Sequence, residues 1–281
     1  MEWSLLSALL WFYLCIYVPY AYVGLSWEFM VLFGFCWCTI TWKRMDSVRT
    51  WPVWNWLRSR HEIEYKGRTD LLEDRTKARL FSFHPHGTHC ISAILTQARP
   101  DLVNLRVAVA SVLFWIPIVN MFVGWGNCLP ATRYGMLDAL RTGTSLVVYP
   151  GGLNEVPGAY FLRDPPEPLP SEKERLYTYN NRVGFIGVAQ EAGVPVVPVW
   201  VEGEYDTYKV WFPFPRLSRL MYRVIGFPFP IVSSGHYGTF LPKPVKLVVH
   251  VGEPIDTTQR GATIEYLKER HDKELERLKT M

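Results

Sequence analysis

Three histidines crowd one short stretch of this 281-residue chain, Phe81-Ser82-Phe83-His84-Pro85-His86-Gly87-Thr88-His89. A neutral imidazole can take a proton from an alcohol near pH 7, because its pKa lies close to that value. A lone histidine in a turn is as readily a structural hydrogen-bonder. Two that bracket a proline, with glycine directly after, are harder to assign to packing. A second stretch, Tyr149-Pro150-Gly151-Gly152-Leu153-Asn154-Glu155, adds a carboxylate and adjacent glycines. Without Cβ atoms, Gly151 and Gly152 let the backbone approach a bound carbonyl and present N–H donors to an oxyanion. The same glycines suit a plain strand-to-loop turn, and both readings can hold together.

These residues need elements to carry them. Leu80 to Phe83 reads as the end of a buried strand; Pro85 cannot continue a ladder and Gly87 permits a sharp turn. Ile91-Ser92-Ala93-Ile94-Leu95 has helical spacing, so the histidines fall between a strand and a helix whose N-terminus supplies spare N–H groups. Leu146-Val147-Val148 is a second strand leading into the glycines. Arg106 to Ala110 is a third, followed by an aromatic-rich helix or loop that either lines a groove or is simply buried. Thr132 is placed to cap a helix from Arg133 to Gly143. Arg133 sits where it can hold a phosphate or carbonyl, or else form a salt bridge on the helix surface. Glu62 to Arg79 is charged and predicts a solvent-facing approach to the first strand. Pro157 to Lys173 reads as irregular loop. Between Trp211 and Pro244, Arg216, Arg219 and Arg223 share one helical face and Leu217, Leu220 and Val224 another, a pattern suited to a membrane surface. Thr263 to Met281 is an amphipathic terminal helix with Ile264, Leu267, Leu275 and Leu278 on its apolar side.

Taken in order, His-Pro-His-Gly, Pro-Gly-Gly-x-x-Glu, Asn181-Arg182-Val183-Gly184-Phe185 with Gly193 to Val199 after it, and Val251-Gly252-Glu253-Pro254-Ile255 resemble the type-2 diacylglycerol and monoacylglycerol acyltransferase family. The resemblance runs from about Arg79 to Ile255. It implies an α/β fold, a glycerolipid-acyltransferase-like mixed sheet with flanking helices. It also implies transfer of a fatty acyl group from acyl-CoA, a co-substrate with no further cofactor, to the hydroxyl of a neutral glycerolipid. Diacylglycerol is the expected acceptor; monoacylglycerol and long-chain alcohols are alternatives. The family's first histidine makes His84 the general base. In the wider glycerolipid acyltransferases an aspartate five residues after the base orients the imidazole, but here that position is His89, and His86 has Ile91 at the same offset. Glu155 is the replacement carboxylate, so the catalytic set is His84, His86 and Glu155. Gly87, Arg133, Gly151, Gly152, Asn154 and Arg182 are expected on the substrate side, Arg182 meeting either a CoA phosphate or a carboxylate such as Glu155. The family's Gly-Arg-Gly is replaced by Gly235-His236-Tyr237-Gly238, which removes an arginine role there.

Composition sets the surroundings. The chain is 49% hydrophobic with a net charge of only +4, too small a bias for nucleic acid. Its five cysteines show neither a disulfide framework nor a zinc ribbon. From Trp3 to Trp42 the only charged residue is Glu28, a run well beyond the ~20 residues of one bilayer span. Pro19 and Gly24 break it near the middle, which predicts a membrane-embedded helical hairpin over 1–43, an interfacial connector over 44–78 and the acyltransferase domain over 79–281. Lys43, Arg44 and Arg49 favour a cytosolic exit. With both ends of the hairpin in the cytosol, the family resemblance implies the endoplasmic reticulum membrane or the lipid droplet as the setting, with the catalytic domain facing the cytosol, membrane lipids as partners and self-association left open. A different class, a metal-dependent hydrolase, would use His84, His86 and His89 as zinc ligands. That reading has no use for the second motif or the hairpin, and no metal is expected.

Overall fold

The apolar run at Leu80 does form a strand, and a mixed sheet is built around it. The computed structural model describes residues 51–99, 102, 104–116, 119–156, 159, 182–239 and 241–281. The hairpin expected over 1–43 therefore lies outside the described residues. Strands β1 (Ile63–Gly67), β2 (Leu80–His84), β3 (Leu105–Val109), β4 (Leu129–Pro130), β5 (Ser145–Val148), β6 (Val196–Glu202) and β9 (Leu247–Val251) form a seven-stranded sheet in the order β1-β9-β6-β2-β5-β3-β4. β2 lies at its centre, parallel to both β5 and β6. The β6–β9 pair is antiparallel, which makes the sheet mixed. Strands β7 (Lys209–Trp211) and β8 (Val232–Ser234) pair separately.

Side chains alternate across the two faces of a strand. Leu80 joins a core with Met136, Leu137, Phe185, Ile186 and Leu267, whereas Phe81 and Phe83 join one with Leu71, Leu72 and Ala93. The first face is covered by α5 (Arg133–Arg141), α6 (Gly184–Ala192) and α8 (Ile264–Lys279), and the second by α2 (Asp70–Glu73) and α3 (Ile91–Gln97). Helices α1 (Pro52–Arg60), α4 (Val119–Trp125) and α7 (Pro215–Ile225) complete the described set. Thr132 caps α5 by accepting from the Gly135 N–H at 3.2 Å, and Thr263 caps α8 by accepting from the Tyr266 N–H at 3.2 Å. Removing such a cap costs ~1 kcal/mol.

One expectation needs correction. The stretch Glu62 to Arg79 is not merely a solvent-facing approach, because its residues Ile63–Gly67 pair in parallel with β9 and end the sheet. The connector drawn over 44–78 thus contains part of the catalytic sheet. Glu64 and Lys66 face outward on this edge strand, and Lys246 pairs with Glu64 at 3.0 Å, so the charges that mimicked a loop belong to a strand with a wet face.

Candidate active site

Where β2 ends, its last residue turns into the core beside α8. His84 is wholly buried, and its Nδ1 lies 2.9 Å from Glu155 Oε1. Glu155 is itself 1% exposed, and its other oxygen, Oε2, accepts from the His86 backbone N–H at 2.7 Å. One carboxylate therefore joins the two motifs, gripping a side chain and the backbone of the turn after it. An ionised carboxylate only accepts, so Nδ1 of His84 carries the hydrogen and the lone pair of the neutral ring falls on Nε2. That tautomer is the one a general base requires.

A second buried carboxylate holds the other end of the turn. Glu204, just past β6 and 1% exposed, accepts from the backbone N–H groups of Ile91 at 2.6 Å and Ser92 at 3.0 Å. Burial pushes its carboxyl pKa up, and those N–H groups pull it back. The N–H groups expected to be spare at the start of α3 are thus already used. Gly87 is explained by the same residue: a Cβ there would stand 2.6 Å from Glu204 Cγ.

The two histidines of the turn occupy different surroundings. His84 packs edge-on to His271 of α8, centroids 5.7 Å apart, and Ser82 Oγ lies 2.6 Å from His271 Nε2. Burial first, then the neighbouring His84, holds the His271 ring well below its usual pKa, while burial pushes the adjacent Asp272 up to about 6. His86 is half-buried and edge-on to Tyr149 at 5.1 Å, and the Tyr149 hydroxyl is 3.2 Å from Ser92 Oγ. Its Nδ1 has no hydrogen-bond partner among the described residues. Desolvation lowers the His86 pKa against the pull of Glu155. His89 turns away, its Nε2 2.8 Å from Ser233 Oγ and its ring 4.5 Å from Tyr208. Among the described residues no three histidine, cysteine or acidic side chains are placed to hold a metal, so the hydrolase alternative finds no support.

The substrate-side expectations divide. Gly151 makes room for Glu155, because a Cβ there would meet Glu155 Cδ at 2.0 Å. Gly152 has φ +51° and donates its N–H to the Tyr149 carbonyl at 3.1 Å, so this donor is spent within the turn. Asn154 lies in the short 3₁₀ turn Gly152–Glu155. Arg182 donates from Nη1 to the Gly151 carbonyl at 3.2 Å instead of pairing with Glu155. Arg133 forms an exposed ion pair with Glu191, which is the surface salt-bridge reading. Sequence reading missed Glu204 and His271. His271 falls on the buried stripe Leu267, Leu275, Leu278 of α8, a helical spacing that marks it as a polar residue in the core. Glu204 lies two residues past the carboxyl end of β6, the region where α/β sheets place functional groups.

Comparison with known proteins adds an independent line. A family model described as diacylglycerol acyltransferase matches residues 19–281. Diacylglycerol O-acyltransferase 2 of Xenopus laevis is 26% identical over 197 residues, covering 62% of this chain and 50% of that protein. The Bos taurus protein of the same name is 25% identical over 289 residues, 91% of this chain and 74% of its own length. Human 2-acylglycerol O-acyltransferase 3 is 26% identical over 272 residues, 83% of this chain and 73% of its own. The chain thus spans from half to about three-quarters of the length of these relatives.

Proposed function

We propose, since the chain belongs to the diacylglycerol acyltransferase family, that it moves a fatty acyl group from acyl-CoA to the hydroxyl of diacylglycerol, making triacylglycerol. The observation that carries the site assignment is the 2.9 Å contact between His84 Nδ1 and Glu155 Oε1, which joins the two motifs. A thioester carbonyl is already electrophilic, so the protein's task is to activate the alcohol. With Nδ1 held by Glu155, Nε2 of His84 takes the proton as the acceptor oxygen attacks the carbonyl carbon. The tetrahedral oxyanion collapses, the carbon–sulfur bond breaks, and the CoA thiolate recovers the proton from the imidazolium. Glu155 positions the ring and offsets its charge while protonated. Burial keeps water from competing for the same proton.

A second assignment within the same reaction rests on exposure. His86 is the partly buried ring and His84 the wholly buried one. In that version His86 meets the acceptor hydroxyl, while His84 and Glu155 form the clamp that places it.

The acceptor is a membrane lipid, so the enzyme works at a bilayer. The nearly uncharged run Trp3 to Trp42, followed by Lys43 and Arg44, supports a hairpin anchor with the catalytic domain on the cytosolic side of the endoplasmic reticulum or on lipid droplets. The relatives include a 2-acylglycerol acyltransferase, which keeps monoacylglycerol as the competing acceptor. Membranes carrying the protein, given labelled acyl-CoA with diacylglycerol, monoacylglycerol or a long-chain alcohol in turn, test the reading. Labelled triacylglycerol as the main product is expected; wax ester or labelled diacylglycerol as the main product would reassign the acceptor.

A further inference from the structure

Helix α7 turns its apolar side away from the protein. Leu217, Leu220, Val224 and Ile225 are all exposed, Val224 to 70%, and the residue that the helix buries is Ser218, which donates to the Pro230 carbonyl at 3.0 Å. Arg216, Arg219 and Arg223 run along the flank of this stripe, and the helix holds no acidic residue. Phe214 at one end, 62% exposed, and Phe229 just beyond the other, 53% exposed, extend the apolar surface. At 11 residues the helix is too short to cross a bilayer, which takes ~20. An apolar stripe bordered by arginines, with aromatic residues at the ends, matches the requirements of a helix lying in the plane of a lipid surface. The absence of acidic residues selects an anionic surface.

The same helix is tied to the candidate active site. The Tyr222 hydroxyl lies 3.4 Å from Arg182 Nη2, and Arg182 Nη1 donates to the Gly151 carbonyl at 3.2 Å. Gly151 in turn abuts the Glu155 side chain.

We infer that α7 docks on an anionic bilayer with Leu217, Leu220 and Val224 among the acyl chains, and that Tyr222 and Arg182 thereby hold the Gly151–Glu155 loop at the surface that delivers the acceptor. Docking itself is read from the helix; only the delivery of acceptor rests on the acyl-transfer reading above. The guanidinium groups meet lipid phosphates, and the stripe replaces water with hydrocarbon.

The full chain, reconstituted in vesicles of phosphatidylcholine and phosphatidylserine, tests this. In a version whose own cysteines are serines, a bimane label is placed at Val224→Cys or, as a control, at Tyr266→Cys on α8. Doxyl-labelled lipid should quench the label at 224 and aqueous iodide should not, with the reverse at 266. Quenching of the label at 224 by iodide, as strong as at 266, would overturn the proposal. Protection from both quenchers would overturn it too, since it would mean that a protein covers the stripe. An arm free of labels uses the chain with its native cysteines. Leu220→Glu combined with Val224→Glu should weaken use of bilayer-embedded dioleoylglycerol about tenfold more than use of water-dispersed dihexanoylglycerol, the scale set by losing buried apolar area. Equal losses on the two acceptors would count against docking. An unmodified chain inactive on both acceptors would undo the acyl-transfer reading and leave the quenching result standing.

Discussion

Glu155 and His84 stand 71 residues apart in sequence and 2.9 Å apart in space. Their contact decides the tautomer of the ring, and the second oxygen of the same carboxylate fixes the backbone at His86. Buried charge is retained only where its partners repay the desolvation. Here the partners are the imidazole and a backbone N–H, both within the strand-end turn that a base would occupy.

The small size of Gly151 is expected to matter through Glu155. Gly151→Ala places a methyl where the Glu155 carboxyl now lies, 2.0 Å from Cδ. Turnover should fall as far as in Glu155→Ala, and the two changes together should cost little more than either alone. Steady-state acyl transfer by the three variants checks this, with circular dichroism confirming the fold.

Glu204 should behave as a structural clamp on the opposite end of the turn. Glu204→Ala leaves the Ile91 and Ser92 N–H groups without their acceptor, at about 1–3 kcal/mol for each group left buried and unsatisfied. The thermal midpoint in detergent should drop. Gly87→Ala should also destabilise the parent but be tolerated in the Glu204→Ala background, where the colliding side chain is gone.

His271 should give the protein an acid-sensitive limb. Burial and the neighbouring His84 hold its folded pKa well below the ordinary 6.5. Well above pH 6.5 the ring is neutral in both states and contributes no slope. As pH falls below that value the unfolded chain takes up a proton that the folded chain refuses, so stability declines by up to ~1.4 kcal/mol per pH unit. His271→Gln should flatten this part of the curve relative to the parent while keeping a hydrogen bond to Ser82, as thermal midpoints between pH 7 and pH 5 (about the range concerned) would show.

Arg133 is expected to be dispensable. Its pair with Glu191 is exposed, and such pairs contribute about 0–1 kcal/mol. Arg133→Ala should leave turnover and the acyl-CoA KM within about twofold of the parent. A large rise in that KM would return the residue to substrate binding.

Much of this arrangement was legible in the sequence, for local reasons. Leu80 to Phe83 reads as the end of a strand because a mostly apolar run stops at Pro85, and the observed strand Leu80–His84 is buried throughout, while Thr132 announces α5 by its capping hydroxyl. Glu155 could be paired with His84 because both close strand-end motifs. The losses are non-local. β1 hides in a charged stretch because Glu64 and Lys66 alternate with half-buried Ile63 and Tyr65 at a sheet edge. Glu204 and His271 reach the site through sheet order and helix packing, which no short pattern encodes. At Gly87 the sequence shows that space is needed and the structure shows what fills it, the Glu204 side chain, since a pattern does not encode the neighbour.

The most direct test of the central claim compares His84→Ala, His86→Ala, Glu155→Gln and the double change at His84 and Glu155, all assayed for acyl transfer at saturating acyl-CoA. A base oriented by a carboxylate acts with it as one unit. His84→Ala should therefore lose ~10²–10⁴-fold in turnover. Glu155→Gln should lower turnover more than it weakens acyl-CoA binding, His86→Ala should be milder than His84→Ala, and the double variant should fall little below His84→Ala. Near-normal turnover in His84→Ala beside a dead His86→Ala, or losses at His84 and Glu155 that multiply, would contradict the pairing of these two residues as base and positioning group.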